Sequence, residues 1–506
     1  MRHCELRLLA PAELPHAADA LLNALGDTPS AHGRMQFAYA CPGPDGSLRV
    51  NYVLSLGTGK PYGLWQVSPD NGKLPSLADK LPLLGWYERE MTDLYGLLFE
   101  GHPEPYPLVL HEGLTPAAPP LLAPFDRQGV ALTGSALPPT VPNIIGQDIQ
   151  RLPFGPVRAD IVESAQFLFF YIGEGILHYH PRLFYKHRAM EARFQGAGLR
   201  AGSVLAERVS GIDSVAHALA YAQAVEAALG WRAPRRARLL RVILAELERL
   251  YNHLHYLGHL AKTTTLKVAE AQGLLLEEQL KQINAILSGS RFLRGVVMPG
   301  GMRRDLDVSE LDARLDAMER ETDVYMQRLE ATPSHLDRLQ TTGVLPRQVA
   351  FDQGATGPIE RASGLDRDLR RDHPYASYGR LDFAVPVQAA GDAHARALVR
   401  MDEIRQSRTL IRQALDCLEP GPVLRTEAVE TPDPDGEGLG WVEAARGGLL
   451  YAVHLDATRT GLTRVKIKEP SFSNWRVFPF TVQDSNMMDY AINEASFGLS
   501  VAGVDR

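Results

Sequence analysis

The stretch from Thr115 to Asn143 constrains this chain most, because it holds too many prolines for a helix or a central strand. Proline fixes φ and removes a backbone N–H, so such a segment lies extended over a surface. The prolines stand at positions 116, 119, 120, 124, 138, 139 and 142. We therefore predict a linker over 115–143 between an N-terminal domain, residues 1–114, and a second domain, residues 144–506.

Composition excludes several classes of protein. Hydrophobic residues make up 45% and charged residues 22%, as in soluble globular proteins, and the net charge of -7 gives no reason to expect nucleic-acid binding. Cys4, Cys41 and Cys417 are too few and too scattered for a disulfide framework, which fits a reducing cytoplasm. The sequence shows neither a signal peptide nor a run of about 18 apolar residues that could span a membrane. We expect any membrane association to come through partners.

The apolar pattern predicts an α+β fold, with a small N-terminal α/β domain and a mainly helical second domain that carries a small β part. A helix should begin near Trp86 and end at Gly96. Strands are predicted at 36–40, 48–56, 166–172, 449–455 and 464–468, and helices within 183–194, 265–288, 308–331 and 393–418.

The strongest helix pattern opens at Pro234 and carries one apolar stripe of leucine and isoleucine. We expect Gly258 to loosen the end of this helix. Its charged residues should mostly line other faces; they are Arg241, Glu246, Glu248 and Arg249.

The run from Trp86 to Pro103 contains the phrases Glu-Arg-Glu, Asp-Leu-Tyr-Gly and Phe-Glu-Gly-His-Pro. It resembles the signature of the thirty-kilodalton subunit of NADH:quinone oxidoreductase, respiratory complex I. In that family the segment is a structural and docking element. The resemblance therefore implies that Glu88, Arg89, Asp93 and His102 are fold or interface residues.

A second series of phrases extends from Phe154 to the end of the chain. It resembles the large-subunit family shared by the forty-nine-kilodalton subunit of complex I and the membrane-bound nickel–iron hydrogenases. The fusion of both complex I-like domains in one chain is typical of the formate hydrogenlyase and hydrogenase-4 type. The phrases include Phe-Gly-Pro at 154–156, Glu-Arg-Val at 207–209, Arg-Val-Ile-Leu-Ala-Glu-Leu-Glu-Arg at 241–249, Pro-Gly-Gly-Met-Arg-Arg-Asp at 299–305 and Val-Asp-Arg at 504–506.

In the hydrogenases two Cys-x-x-Cys pairs hold the metals, since thiolates are the soft ligands that nickel and iron prefer. The resemblance puts the first pair on Ser210 and Asp213 and the second on Ser500 and Gly503. Serine and aspartate are hard ligands and glycine has no side chain. We therefore predict no nickel–iron centre and no bound metal.

The complex I resemblance implies a quinone cavity whose head carries a His and a Tyr, which hydrogen-bond the quinone and can supply protons. Those positions fall on Val162 and Gly211, so both polar groups are missing. Glu163 matches a hydrogenase Glu that is associated with proton movement. Arg188 matches an arginine that lies beside the terminal iron–sulfur cluster, which itself belongs to a partner subunit.

The residues expected near this cavity also have plainer interpretations. Ser210 and Asp213 could cap a helix, and His217 could be a satisfied half-buried residue. Asp372 and His373 could belong to a turn before Pro374. The full set of candidate cavity or proton residues is Glu163, His187, Arg188, Glu191, Ser210, Asp213, His217, Asp372 and His373.

The resemblances imply a peripheral subunit on the cytoplasmic face of a membrane, paired with an iron–sulfur small subunit and with ion-translocating membrane subunits. Its expected activity is electron transfer from the partner cluster towards quinone. NAD(H) would bind other subunits, because this chain has no Gly-x-Gly-x-x-Gly fingerprint. A redox-inactive structural or coupling role is the alternative, and residual hydrogenase activity is a third hypothesis.

Overall fold

The N-terminal part builds a four-stranded sheet in the order β1-β4-β3-β2, in which β1 pairs with β4 in parallel and the other pairs are antiparallel. In this computed structural model the chain is described over residues 1, 4–25, 33–43, 46–111, 114–116, 118–122, 130–132, 144, 146, 148–158, 163–425, 431–483 and 485–506. The elements of this part are β1 (Cys4–Leu9), α1 (Leu14–Leu25), β2 (Arg34–Pro42), β3 (Leu48–Ser55), β4 (Tyr62–Val67), β5 (Lys73–Pro75), α2 (Gly85–Tyr95), β6 (Leu98–Glu100), β7 (Leu114–Pro116) and β8 (Val130–Leu132).

The strands predicted at 36–40 and 48–56 and the helix predicted from Trp86 to Gly96 are confirmed. Strands β2 and β3 pair antiparallel, and α2 ends at Gly96, whose φ of 71° is a left-handed conformation that favours glycine. Most of the predicted linker, 115–143, lies outside the described residues. Strands β7 and β8 pair antiparallel, whereas residues 118–122 form a turn. The two domain boundaries stay predictions.

The second part adds two three-stranded antiparallel sheets to a set of packed helices. Its strands are β9 (Gln150–Phe154), β10 (Gln166–Ile172), β11 (Gly175–Arg182), β12 (Val297–Met298), β13 (Gly301–Met302), β14 (Glu437–Ala444), β15 (Gly447–Leu455) and β16 (Leu462–Lys468). Its helices up to residue 416 are α3 (Met190–Phe194), α4 (Leu199–Ala206), α5 (Ser214–Leu229), α6 (Arg235–Thr263), α7 (Lys267–Ser288), α8 (Leu311–Glu330), α9 (Pro333–Leu339), α10 (Arg347–Asp352), α11 (Pro358–Ala362), α12 (Leu369–Asp372) and α13 (Ala393–Asp416). The last helices are α14 (Pro470–Val477), α15 (Pro479–Val482), α16 (Tyr490–Phe497) and α17 (Val501–Asp505). The α+β class and the predicted positions of the later helices and strands are confirmed.

Helix α5 lies directly on strand β14 because two glycines leave room for it. A Cβ atom at Gly438 would lie 2.0 Å from the carbonyl oxygen of Ala224, and one at Gly440 would lie 2.1 Å from that of Ala220. No side chain fits there. This close packing buries α5 almost completely and fixes the loop that precedes it.

One expectation for helix α6 is wrong. The helix does not loosen at Gly258 but continues to Thr263, and Gly258 instead lets α7 approach at Gly273, where an added Cβ would lie 2.7 Å from the Cα of Gly258. The charged residues of α6, which are predicted only to line other faces than the apolar stripe, do not face solvent. Helices α7, α13 and α16 pack around α6, so Arg241, Glu246, Glu248 and Arg249 are all buried.

The prediction of a helix over 183–194 is also wrong in its first half. Only α3, Met190–Phe194, is helical. Phe184 and Ala189 have positive φ values of 67° and 53°. The irregular backbone lets the N–H groups of Phe184 and Lys186 donate to the Asp505 carboxylate, each at 2.8 Å. This segment is thereby tied to the end of α17.

Candidate functional site

Two short loops face each other at the centre of the second part. In the first loop, Ser210 Oγ donates to Asp213 Oδ2 at 3.0 Å, just before α5. In the second loop, Ser500 Oγ accepts a hydrogen bond from the N–H of Gly503 at 3.0 Å and so caps α17. The two residues of each predicted pair, Ser210 with Asp213 and Ser500 with Gly503, are therefore joined by a hydrogen bond.

Arg446 connects the two loops from the turn between β14 and β15. Its Nη1 donates to both carboxylate oxygens of Asp213, at 2.9 and 3.0 Å, and to Asn252 Oδ1 at 3.0 Å. Its Nε donates to the carbonyl oxygen of Gly498 at 2.8 Å. The ion pair is nearly buried, since the Asp213 side chain is 2% exposed and that of Arg446 is 10% exposed.

Two further carboxyl groups lie buried beside this ion pair. Glu248 accepts the N–H groups of Val215 and Ala216 at the start of α5, at 2.7 and 2.8 Å. Burial, together with the charge of Asp213, raises the pKa of Glu248 well above its ordinary range. It is Glu248 that caps α5, whereas Asp213 occupies the capping position without making a side-chain capping bond, so the capping interpretation is wrong for Asp213.

Glu469 is the second of these carboxyl groups. It accepts the N–H groups of Ser471 and Phe472 at the start of α14, at 2.5 and 3.2 Å. Burial and the nearby Asp213 raise the pKa of Glu469 to about 8. At neutral pH this carboxyl group therefore holds a proton, while Asp213 is paired with Arg446.

A cavity of about 720 Å³ opens where the two loops meet. The first loop contributes Ser210, Gly211 and Ile212 to its wall, and the second contributes Gly498 to Ala502. Glu163 also lines the cavity and holds the second loop, because its carboxylate accepts the N–H groups of Val501 and Ala502 at 2.7 and 2.9 Å. The remaining walls come from Lys186, Trp475 of α14, helices α6, α13 and α16 and the turn with Arg446; the residues from these helices and the turn are Asn252, His253, His255, Tyr256, His259, Lys262, Thr263, Arg400, Ala445, Arg446, Ala491, Glu494 and Ala495.

The four positions that correspond to hydrogenase cysteines do not suit a nickel–iron centre. They offer two hydroxyl groups, one carboxylate and no side chain at Gly503, and none is a soft ligand. A side chain at Gly503 would also collide with Glu469, whose Oε1 lies 2.5 Å from the place of a Cβ atom. Within the described ranges, no group of three or more His, Cys, Asp or Glu side chains is arranged to hold a metal ion.

His253 links the cavity to a network of charges behind it. Its Nε2 lies 2.8 Å from Glu403 Oε2, and burial lowers the pKa of His253 to about 4. Glu403 is held ionised by Arg361 and Arg249, which lower its pKa. The other members of this buried network are Glu246, Asp368, Arg370 and Glu443.

Arg188 and His217 flank the first loop without lining the cavity. The guanidinium of Arg188 donates to the carbonyl oxygens of Arg208 and Ala502, both at 2.8 Å, and so fastens the two loops together. His217 is fully buried in α5 and its Nδ1 lies 2.8 Å from the hydroxyl of Tyr451. Burial lowers the pKa of His217 to about 4, so this histidine is neutral at physiological pH.

Glu191 and His187 lie away from the cavity, near the contact with the N-terminal part. Glu191 accepts from Arg464 at 2.7 Å and from Arg506 at 3.0 Å. Glu90 in α2 joins the same cluster through Arg506 at 2.7 Å and Lys466 at 2.5 Å. The Nδ1 atom of His187 lies 2.6 Å from the carbonyl oxygen of Asp505.

Asp372 and His373 also belong to the contact between the two parts of the chain. His373 Nε2 lies 2.8 Å from Ser55 Oγ, and its ring stacks on Tyr62 with 4.2 Å between centroids. The carbonyl oxygen of Asp372 accepts the N–H of Gly59 at 2.8 Å. These two residues therefore attach α12 to the N-terminal sheet.

The residues of the Trp86–Pro103 signature make structural contacts, in line with the sequence-based interpretation. The Asp93 carboxylate accepts three successive backbone N–H groups, those of Leu108, Val109 and Leu110. Glu88 accepts the N–H of Leu77 at 2.8 Å. Arg89 and His102 contact backbone carbonyl oxygens. Arg89 donates to those of Tyr106 and Pro107, and Nε2 of His102 lies 3.1 Å from the carbonyl oxygen of Gly85.

Sequence analysis missed Arg446, Asn252, Glu248 and Glu469. Charged residues inside the apolar pattern of α6 could have indicated Glu248, and the Gly-Gly after Arg446 indicates a turn. The turn meets a loop that lies 233 positions away in the chain. A local sequence pattern holds no information about such a contact. Val162, the position of the complex I histidine, lies outside the described residues.

Comparison with known proteins places these features in a family. Residues 13–130 match the model of the respiratory-chain NADH dehydrogenase 30 Kd subunit, 188–274 match nickel-dependent hydrogenase, and 274–434 with 426–506 match the 49 Kd subunit. Formate hydrogenlyase subunit 5 of Escherichia coli is 32% identical over 457 residues, which cover 88% of this chain and 79% of that protein. The chain belongs to the family of complex I 49 Kd subunits and hydrogenase large subunits.

Other members of this family are similar over shorter spans. NADH-quinone oxidoreductase subunit 4 of Thermus thermophilus is 31% identical over 73% of this chain and 97% of its own length. A chain of the membrane-bound sulfane sulfur reductase, an archaeal respiratory membrane complex, superposes with a TM-score of 0.66 at 26% identity and covers 72% of this chain and 100% of its own. Like the fused subunits of the family, the present chain also carries a domain of the 30 Kd subunit type. None of the helices in its described ranges is long and apolar enough to cross a bilayer.

Proposed function

We propose that this chain is a peripheral subunit of a membrane-bound, complex I-like respiratory complex, and that its cavity receives a quinone. The quinone would accept electrons from an iron–sulfur cluster of a partner subunit. The observation that carries the proposal is the cavity of about 720 Å³ between the two loops, with the Arg446 guanidinium in its wall. Its relatives include subunits of an NADH-quinone oxidoreductase and of a formate hydrogenlyase, which supports assignment to such a complex.

Arg446 takes the role of hydrogen-bond donor to a quinone carbonyl oxygen. Its Nη1 and Nε are used by Asp213, Asn252 and Gly498, whereas its Nη2 makes no hydrogen bond within the described part of the chain. A fixed guanidinium stabilises the negative charge that develops on the oxygen during reduction. Asp213 and Asn252 position this group, so it requires no reorganisation when the charge appears.

The buried carboxyl groups supply protons. Reduction of a quinone to a quinol consumes two electrons and two protons, and Gly211 offers no hydroxyl group. Glu469 holds a proton at neutral pH, because burial raises its pKa to about 8. Ser471 Oγ lies between this carboxyl group and the cavity wall, 3.2 Å from Glu469 Oε1 and 3.1 Å from the backbone nitrogen of Ser500.

The complex would lie on the cytoplasmic side of the membrane, with ion-translocating subunits in the bilayer. NAD(H) would bind another subunit. We propose no nickel–iron chemistry, because the four ligand positions do not suit the metals. Metal analysis of the purified complex should find no stoichiometric nickel beyond what its other subunits hold, and nickel bound to this chain would contradict the proposal.

The test is reduction of a short-chain quinone by the purified membrane complex when its cluster is supplied with electrons. Wild type should reduce the quinone, and Arg446→Gln should lower the rate by about 100-fold, as removal of a charge-stabilising donor does. Asp316→Asn is the matched control, because this exposed aspartate pairs with Arg412 far from the cavity. An assembled wild-type complex that reduces no quinone would favour the alternative, a structural or coupling subunit without redox chemistry.

A further inference from the structure

Buried arginines in the described part of this chain almost always have a carboxylate partner. An unpaired buried charge is costly, so this pairing is expected. The paired arginines are Arg34, Arg158, Arg241, Arg249, Arg361, Arg370, Arg408, Arg464 and Arg506. Among the described residues, Arg396 and Arg400 are buried arginines for which the structure gives no ion pair.

These two arginines lie one turn apart on α13. Their hydrogen-bond acceptors are neutral, and each guanidinium lies over an aromatic ring, Arg396 over Phe497 at 4.5 Å and Arg400 over Tyr256 at 4.0 Å. Arg396 donates to Ser496 Oγ and to the carbonyl oxygens of Gly343 and Gly391. Arg400 donates to the carbonyl oxygens of Arg396 and Phe497, at 3.0 and 2.9 Å. Burial lowers the pKa of both groups, and that of Arg396 falls to about 9.

Only one of the pair borders the cavity. Arg400 lines it, while Arg396 does not. Gly498 forms the wall at this point, and an added Cβ there would lie 3.6 Å from Nη2 of Arg400 and 3.1 Å from the ring of Tyr256. Glycine therefore keeps the approach to the Arg400 guanidinium clear of a side chain.

Arg446 lies on the other side of the same glycine. Its Nε donates to the carbonyl oxygen of Gly498 and its Nη2 has no hydrogen-bond partner within the described residues. The guanidinium groups of Arg400 and Arg446 thus both lie near Gly498, and Arg400 makes no direct ion pair within the described residues, although the charge of Glu403 acts on it. Guanidinium groups bind oxyanions through short charge-assisted hydrogen bonds.

We propose that the cavity contains an anion site beside Gly498, at which Arg400 binds a small oxyanion of the carboxylate or sulfate class, while Nη2 of Arg446 serves the quinone carbonyl oxygen. The anion supplies the direct counter-charge that Arg400 lacks. This site goes beyond the proposed quinone reduction, since it depends on charge and not on the identity of the electron acceptor. Lys262 and His259 also line the cavity, and its two carboxylates are already engaged, Glu163 by backbone N–H groups and Glu494 by Arg158.

The test is equilibrium dialysis of the purified complex with radiolabelled acetate and, separately, with sulfate at constant ionic strength. Wild type should bind one of these anions saturably, and the two arms distinguish a planar carboxylate from a tetrahedral oxyanion. Arg400→Gln should weaken binding at least tenfold. Arg396→Gln is the matched control, because it removes an equally buried arginine that does not reach the cavity, and its affinity should stay within threefold of wild type.

Absence of saturable binding of either anion to wild type would overturn the proposal, and so would equal weakening by both variants. A second measurement uses wild type alone and does not depend on the folding of any variant. Crystals soaked in selenate should show anomalous scattering beside Gly498, and a peak elsewhere or none would contradict the site. Failure of quinone reduction with intact anion binding would separate this proposal from the proposed function.

Discussion

The Asp213 carboxylate lies 2.9 and 3.0 Å from Nη1 of Arg446, at a position where the hydrogenase relatives carry a metal-binding thiolate by resemblance. Arg446 thus connects the two loops, through Asp213 in the first and the carbonyl oxygen of Gly498 in the second. The positive charge of Arg446 stays on the cavity side of the pair. Stability and chemistry of the site consequently depend on the same two residues.

Loss of both partners should therefore cost less than the sum of the two single losses. Asp213→Asn or Arg446→Gln alone should lower the free energy of unfolding by about 3–5 kcal/mol, because each leaves a buried charge without its partner. The double variant should lose clearly less than the sum of the two. Urea denaturation of the purified chain measures these values, and strictly additive losses would argue against a coupled pair.

The contact between the N-terminal part and the rest of the chain should depend on Glu90. Glu90→Gln should lower the free energy of unfolding by about 3 kcal/mol, since Lys466 and Arg506 then lose one of their two buried counter-charges. Glu100→Gln, whose pair with Lys73 is exposed, should cost less than about 1 kcal/mol. Thermal unfolding of both variants checks this, and equal shifts would show that the buried cluster does not join the two parts.

Stability should fall as pH rises from about 4.5 to about 8, partly because of Glu469. Its pKa is raised in the folded chain from an ordinary value near 4.5 to about 8. The contribution of the protonated form is therefore fully present below about pH 4.5 and is lost as pH rises through about 8. Glu469→Gln should remove a slope on the order of 1 kcal/mol per pH unit in this window. Unfolding measured from pH 5 to 9 in both proteins tests the difference, and identical pH profiles would exclude the raised pKa.

The second loop should need the carboxylate of Glu163. Glu163→Ala removes the acceptor of the Val501 and Ala502 N–H groups and should cost about 1–2 kcal/mol, as loss of a helix cap does. Glu163→Gln keeps one acceptor oxygen and should lose about half as much. Hydrogen exchange at Val501 and Ala502 reports the effect directly. Unchanged protection of both amides in Glu163→Ala would contradict the capping role.

Family, fold class and most elements could be predicted from the sequence, because local patterns carry that information. The alternating residues of β2 and β3, the glycine after α2 and the apolar stripe of α6 were all sufficient. Errors occurred where tertiary contacts override the local pattern. Residues 183–189 favour a helix locally but are held irregular by Asp505, which follows Phe184 by 321 positions.

By itself, the sequence determined that the four positions matched by resemblance to ligand cysteines carry no thiol, since they are Ser210, Asp213, Ser500 and Gly503. Only the tertiary structure decided what stands there instead. The Asp213–Arg446 pair joins residues 233 positions apart, and the missing counter-ion of Arg400 becomes visible only when its described neighbours are known. Charge pairing in a protein interior depends on the distance between the two charges in space, because their attraction weakens as they separate. That distance cannot be read from the number of residues between them.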